Sequence, residues 1–251
     1  MPDTKKAILF DLGGTLVQYC DSNEFPTILE QGIINIRNYL YLNGLLQVSQ
    51  EEISKRVLIE DYENEDYRVR PLEHRLMRIF QLPNEVCSDE LFVTMCKCFM
   101  TPFFKLAQLY DDSIPVLRQL SFDGYRIAIV SNSLWGCPVH LWREEIKRHG
   151  LNKLIDSAVF CRDVGWRKPA QQIYKYVLEK LSASAEDCLF IGDDPCWDFY
   201  GPRAVGIPAV LLDRSGIMRE ITADRIENLY QIFEMIYPCR DYKKNDSIRE
   251  C

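Results

Sequence analysis

Apolar residues cluster in short runs near the start of the chain and again in its second half. Ala7–Phe10 is an apolar run with the length of a buried parallel strand. From residue 111 onward, runs of this kind alternate with amphipathic segments, which predicts strands at YRIAIVS, SAVFCRDV, DCLFIGDD and PAVLLDR. The segments between them, VLRQLSF, REEIKRHG, AQQIYKYVLEKL and GPRAVG, are predicted to be helices. The alternation indicates an α/β fold with a doubly wound, Rossmann-like parallel sheet.

Residues 17–110 lack this alternation, and their apolar positions recur at helical spacing, which predicts about four or five helices. Ser49 with Glu52 has the spacing of a capping box, and Asn43-Gly44 is a predicted helix end. The first strand must therefore join the sheet across this insertion. We predict an α/β core from residues 1–16 and 111–238, an inserted helical domain from 17–110 and a flexible tail from 239–251.

Composition excludes several classes of partner. The 251 residues are 47% hydrophobic, enough for a large core, and the net charge of −7 predicts no surface for nucleic acid or acidic membranes. The first apolar run is too short for a signal-peptide core, and no stretch has the length of a membrane span, so we expect a cytoplasmic protein. Its ten cysteines are then expected to be reduced thiols.

Polar residues follow several of the predicted strands. Because the carboxyl ends of parallel strands meet at one edge of a sheet, ligands bind there, and these side chains are expected to converge. Glycines in the first segment would let backbone N–H groups approach an anion. The candidates are Asp11, Gly13 and Gly14 in the first segment, Ser131 and Asn132 in the second, Lys168 in the third, and Asp193 and Asp198 in the fourth.

Three of these candidates are carboxylates: Asp11, Asp193 and Asp198. Several carboxylates cannot remain ionised together in a cleft without a cation. Magnesium prefers a few carboxylate oxygens together with a carbonyl, so we predict a Mg²⁺ site made by Asp11, Asp193 and the carbonyl of Gly13. Asp198 would be a further ligand of the ion or would orient a metal-bound water.

The four segments, taken in order, resemble the haloacid dehalogenase superfamily. That family has an Asp in D-x-D-x-T, then Ser or Thr, then Lys, then an acidic pair. A chance match of four ordered motifs at successive strand ends is improbable. The matching positions are Asp11, Gly14, Thr15 and Leu16; Ser131 and Asn132; Lys168 and Pro169; and Gly192, Asp193, Asp198, Gly201, Ala204 and Gly206.

The resemblance implies a phosphatase-like hydrolase in which Asp11 is the nucleophile and forms an aspartyl-phosphate. It implies that Lys168 is catalytic and also binds the phosphoryl group of a small phosphorylated substrate, together with Thr15, Ser131 and Asn132. The helical insertion would be a mobile cap that closes over the site. Asp194 is expected to cap a helix and not to bind the metal.

The chain departs from the family pattern at Gly13, where the family's phosphatases have a second Asp that protonates the leaving group. General acid catalysis is worth about 10²–10⁴-fold. A phosphatase lacking it needs a good leaving group, or an acid from the insertion such as Tyr19, Asp21 or Glu24.

Two other outcomes remain open. One is dehalogenase chemistry, in which the Asp displaces halide from carbon, or phosphonatase chemistry, in which Lys55 would form a Schiff base. The other is a catalytically impaired domain that binds a phosphorylated ligand or a protein. Arg68, Arg70 and Trp135 are candidate substrate contacts, although such residues more often form a solvated face or pack at a domain edge.

Overall fold

The computed structural model describes residues 6–21, 23–63, 65–218 and 222–237, so the predicted tail at 239–251 lies outside the described residues. The chain begins with β1 (Ala7–Phe10) and the two-residue strand β2 (Val17–Gln18). Four helices follow, and β3 (Gln108–Leu109) then pairs antiparallel with β2. The helices are α1 (Phe25–Leu42), α2 (Gln50–Glu60), α3 (Leu72–Phe80) and α4 (Asp89–Leu106).

The rest of the chain alternates between strands and helices, as predicted. In chain order the elements are α5 (Ser113–Phe122), β4 (Arg126–Ser131), α6 (Val139–Arg148), β5 (Ser157–Phe160), α7 (Cys161–Val164), α8 (Gln171–Leu181), β6 (Cys188–Gly192), α9 (Gly201–Arg203), β7 (Ala209–Leu212), β8 (Arg225–Ile226) and α10 (Ile232–Ile236).

Six strands form one parallel sheet in the order β5-β4-β1-β6-β7-β8, which confirms the predicted fold class. The first strand lies in the middle, although the helical segment separates it from its partners in sequence. Phe10 lies opposite Ile129 of β4 on one side and Ile191 of β6 on the other. The next residue, Asp11, is therefore at the carboxyl edge of the sheet between two strand ends.

The uniform hydrophobicity of β1 follows from burial on both faces. Ile8 and Phe10 belong to an apolar cluster that continues into the helical insertion. Ala7 and Leu9 belong to the cluster on the opposite face, which includes Val177 of α8. All four strand residues are buried, so the strand ends hold a fixed position for the residues that follow them.

The predicted end of the first helix and the predicted Ser49 cap of the second helix are both present. The first helix ends at Leu42, directly before Asn43-Gly44. The Ser49 hydroxyl oxygen accepts a hydrogen bond from the Glu52 amide at 3.3 Å and caps α2.

One predicted strand is too long. SAVFCRDV was predicted to be extended throughout, but the strand ends at Phe160 and Cys161–Val164 form a helical turn. The Asp163 carboxylate accepts the Phe160 amide hydrogen at 3.0 Å, and Gly165 ends the turn at φ +81°. A side chain that bonds the preceding backbone favours a turn over extension, and its effect is stronger here than the β-branched pattern.

None of the helices in the described ranges combines the length and the hydropathy of a membrane-crossing segment. Eight cysteines fall within those ranges, and each of them is a free thiol.

Candidate active site

The predicted strand-end residues line a pocket of about 200 Å³ at the carboxyl edge of the sheet. It opens where Asp11 follows β1, Ser131 ends β4 and Asp193 follows β6. The nine described residues that line it are Asp11, Gly13, Ser131, Asn132, Lys168, Asp193, Asp194, Trp197 and Asp198. All nine come from outside the helical segment between β2 and β3.

Lys168 is buried between two carboxylates. Its Nζ donates to Asp11 Oδ1 and to Asp198 Oδ1, each at 2.6 Å, and only 1% of the residue is exposed. Burial by itself lowers the pKa of this amine, but the charges of Asp11 and Asp198 outweigh it and raise the pKa overall. Lys168 is therefore a fixed positive charge beside the predicted nucleophile.

The pocket has more negative charge than Lys168 can balance. Oxygen atoms of Asp11, Asp193 and Asp198 all lie within 4.8 Å of one another. Burial and the nearby Asp11 carboxylate raise the pKa of Asp193 to about 7. Burial also raises the pKa of Asp198, against the opposing effect of Lys168. Three clustered carboxylates, two of which have a raised pKa, with a single ammonium beside them, fit a hard divalent cation such as Mg²⁺.

Two glycines let the carboxylates come this close to the backbone. Gly14 has φ +76°, and a Cβ on it would overlap the Asp193 carboxylate. A Cβ on Gly192 would overlap Asp198 in the same way. Thr15 is fully buried and donates from Oγ1 to Asp193 Oδ1 at 3.3 Å. The structure thus places Thr15 against Asp193 and not among the residues that line the pocket.

Asn132 holds Lys168 in position. Its Oδ1 accepts from the Lys168 amide at 2.8 Å, and its Nδ2 donates to the Lys168 carbonyl at 3.3 Å. The Ser131 hydroxyl donates to the Asn132 carbonyl at 3.3 Å and lies at the pocket wall. In this arrangement Asn132 bonds the backbone of the lysine, while Ser131 is open to the pocket.

The acidic segment after β6 forms a tight turn. Asp198 Oδ2 accepts the Asp194 amide hydrogen at 3.0 Å, and Asp194 Oδ1 accepts the amide hydrogen of Trp197 at 2.7 Å. Asp194 is therefore the N-cap of the short helical segment Pro195–Tyr200, as expected. Trp197 also lines the pocket, and the sequence analysis did not identify it. Its position in the sequence between Asp193 and Asp198 could have identified it as a pocket residue.

Tyr19 lies beside the position of the missing acid. Its ring carbon Cδ2 is 3.4 Å from where a Cβ on Gly13 would be, so the ring takes part of the space near that residue. The Tyr19 hydroxyl is buried and has no hydrogen-bond partner among the described residues. Burial, followed by the charges of Glu145 and Asp11, raises its pKa well above the usual value. A tyrosine in this state is a poor proton donor.

The other two candidate acids in the insertion lie outside the pocket lining. Asp21 and Glu24 are both exposed, and the Glu24 carboxylate accepts the Asp21 amide hydrogen at 3.1 Å. Neither lines the pocket, and neither does Tyr19.

Lys55, the candidate Schiff-base lysine, is on the exposed face of α2 and pairs with Glu51 at 2.7 Å. Arg70 pairs with Asp66 at 3.2 Å. The first pair is the solvated arrangement that helical spacing usually produces, and the second lies in the loop before α3. Neither basic side chain reaches the pocket wall.

Arg68 and Trp135 contact protein groups and not the pocket. The Arg68 guanidinium carbon lies 4.4 Å from the centre of the Trp166 ring. Trp135 is 5% exposed, stacks on Phe99 of α4 at 5.3 Å between ring centres, and donates from Nε1 to Asp61 at 3.1 Å. These residues join the helical insertion to the α/β core.

Comparison with known proteins agrees with this geometry. A family model for haloacid dehalogenase-like hydrolases matches residues 5–206. Glyceraldehyde 3-phosphate phosphatases of Methanothermobacter thermautotrophicus and Methanopyrus kandleri are 23% and 25% identical, over 88% and 83% of this chain and 91% and 84% of their own lengths. The structure of a phosphatase of this family from Thermococcus onnurineus superposes with a TM-score of 0.64, at 24% identity, over 92% of this chain and 98% of that one. At that identity the superposition shows the fold.

The family match covers the strand-end pocket and the helical insertion together, and the sheet order and the four motifs agree with it. The chain belongs to the haloacid dehalogenase-like hydrolases.

Proposed function

We propose that this protein is a Mg²⁺-dependent phosphatase that hydrolyses a small phosphorylated metabolite through Asp11. The observation that carries the proposal is the Asp11 carboxylate, which lies at the pocket wall 2.6 Å from the Lys168 ammonium and within 4.8 Å of oxygens of Asp193 and Asp198. The relatives named as glyceraldehyde 3-phosphate phosphatases support this chemistry. So does a ribulose-1,5-bisphosphate 5-phosphatase of Halopiger xanaduensis, which is 27% identical over 47% of each chain.

In the proposed reaction, an Asp11 carboxylate oxygen attacks phosphorus, and the leaving group departs with the electron pair of the broken P–O bond. Water then attacks the same phosphorus, which breaks the bond to Asp11 and produces inorganic phosphate. Lys168 provides positive charge to the phosphoryl oxygens throughout, and the Ser131 hydroxyl can hydrogen-bond to them. Asn132 keeps the Lys168 backbone in place through both reactions.

The residues that would hold Mg²⁺ are Asp11, Asp193 and Asp198, with the carbonyl of Gly13 at the pocket wall. The ion would neutralise charge on the transferring phosphoryl group. Thr15 supports this arrangement because its hydrogen bond orients Asp193. The helical insertion is proposed to be the cap of this enzyme.

The first test is phosphate release from acetyl phosphate by wild type and Asp11→Asn, with Mg²⁺ and with EDTA. Acetyl phosphate suits the test because a carboxylate leaves without acid assistance. We expect release only with Mg²⁺, and a loss of at least about 10³-fold in Asp11→Asn because no other group can accept the phosphoryl group. Thermal melting of both proteins controls for folding. Equal rates in the two proteins would reject Asp11 as the nucleophile.

A second candidate function is a domain that binds a phosphorylated ligand without turnover. Gly13 favours it, since no acid is available at that position. Such a protein would gain thermal stability when Mg²⁺ and inorganic phosphate are added, yet would release no phosphate from acetyl phosphate.

A further inference from the structure

Trp197 differs from every other residue at the pocket. It is the one aromatic residue among the nine described residues of the lining, and 39% of it is exposed. It therefore extends from the pocket wall to solvent. A large apolar ring that stays half exposed beside a cluster of carboxylates offers a surface for a ligand to cover.

The backbone of Trp197 is held at both of its polar groups. Its N–H donates to Asp194 Oδ1 at 2.7 Å, and its carbonyl accepts from the hydroxyl of Tyr174, which is fully buried. The buried Asp198 follows directly. The chain thus presents the indole from a fixed turn between two predicted metal ligands, so a ring stacked on it would lie close to the reacting phosphorus.

The pocket also offers few groups that could protonate a leaving group. Gly13 has no side chain to donate a proton, and the Lys168 ammonium is bonded to Asp11 and Asp198. Tyr19, whose ring lies beside Gly13, is outside the lining. A leaving group that departs unassisted must be a weak base. Phenols, with a pKa of about 10, and carboxylic acids, with a pKa of about 4, meet this requirement better than alkanols do.

We propose that Trp197 makes the enzyme selective for phosphate esters and acyl phosphates whose leaving group is a flat aromatic ring. This rests on the proposed phosphatase function and adds a substrate class to it. The ring stacks on the indole while Asp11 attacks phosphorus, and the P–O bond breaks with its electron pair going to the phenolate or aromatic carboxylate. Water then cleaves the bond between phosphorus and Asp11. A phenolate takes up a proton from solvent, and a carboxylate remains ionised.

A comparison of benzoyl phosphate with acetyl phosphate tests stacking alone. Both compounds release a carboxylate of similar basicity, and only benzoyl phosphate carries an aromatic ring. We expect wild type to have a higher kcat/KM for benzoyl phosphate. In Trp197→Ala the ratio of the two kcat/KM values should fall by roughly 3- to 10-fold, the range of one aromatic pair. Trp197→Phe should keep most of the ratio.

Tyr200→Ala is the matched control. Tyr200 is an exposed aromatic residue in the same turn and does not line the pocket, so the ratio should stay at the wild-type value. Phenyl phosphate and glycerol phosphate extend the series, and phenyl phosphate should be the better substrate. Thermal melting of each variant checks its fold.

Two results would overturn the proposal. One is a wild-type enzyme that shows no preference for benzoyl over acetyl phosphate. The other is a preference that is unchanged in Trp197→Ala. In both cases turnover of acetyl phosphate would leave the phosphatase function standing. If none of the four compounds released phosphate with Mg²⁺, the phosphatase function and the selectivity would fail together.

Discussion

The strand-end pocket and the two long helices of the insertion bury different kinds of side chain. At the pocket, Asp11, Lys168 and Asp198 are almost completely buried and bonded to one another. In the insertion, the long helices α1 and α4 bury mainly apolar side chains, such as Ile36 and Phe99. Buried carboxylates and their ammonium partner thus lie where strands end, whereas α1 and α4 contribute apolar packing.

Several contacts that join the two regions use residues outside the pocket lining. The Val69 amide donates to the Gly165 carbonyl at 3.0 Å, and the Arg167 amide donates to the Tyr67 carbonyl at 2.7 Å. An ion pair of 2.8 Å joins Glu73 and Arg162 beside them. Because these contacts involve none of the described residues that line the pocket, substitutions can separate catalysis from stability.

The largest effect is expected at Lys168→Met. Removal of one positive partner from a buried carboxylate cluster should cost about 3–5 kcal/mol of unfolding free energy in EDTA. It should also lower kcat by about 10²–10³-fold, because one fixed charge at the phosphoryl group is lost. Urea unfolding and acetyl phosphate kinetics measure the two effects. Lys175→Met, at an exposed lysine on α8, is the control and should change neither quantity.

The packing of the core against the insertion should respond differently. Trp135→Ala removes a buried ring that stacks on Phe99, and we expect a loss of about 3–5 kcal/mol in unfolding free energy. Among molecules that remain folded, kcat for acetyl phosphate should be close to wild type. Trp197→Ala, at a half-exposed tryptophan, should lose much less stability by the same urea measurement. A large fall in kcat for Trp135→Ala in the folded protein would contradict the separation of the two regions.

The smallest effect is expected at Lys55→Ala. The exposed pair with Glu51 contributes at most about 0.5 kcal/mol, so both stability and turnover should be nearly unchanged. Lys55→Arg keeps the charge and controls for it. Complete loss of activity in both variants would instead support covalent chemistry at Lys55.

Local features of the chain were predictable wherever one interaction decides the conformation. The apolar run of β1 and the Ser49 cap are of this kind, and both are present. At Cys161–Val164 the prediction was wrong, because the Asp163 side chain closes a turn that apolar patterning does not reveal. Strand propensity reflects the average environment of a residue type, whereas here one side-chain hydrogen bond determines the conformation of four residues.

The candidate site likewise combines residues that the sequence predicts with contacts that only the structure shows. Strand-end position and charge pointed to Asp11, Lys168, Asp193 and Asp198, and these side chains do meet in one pocket. Only the tertiary structure placed Thr15 against Asp193 and brought Asn132 to the backbone of Lys168. Those contacts span more than thirty positions in sequence, and a single sequence holds no signal for them.

The sequence alone determined the fold class and the chemical elements of the site, because strand period, burial and charge are local properties that each segment carries with it. The tertiary structure decided which groups can act together. It set the position of the Tyr19 ring beside Gly13 and the exposure of Trp197 at the pocket. Both depend on how distant segments pack, and packing is a property of the whole chain.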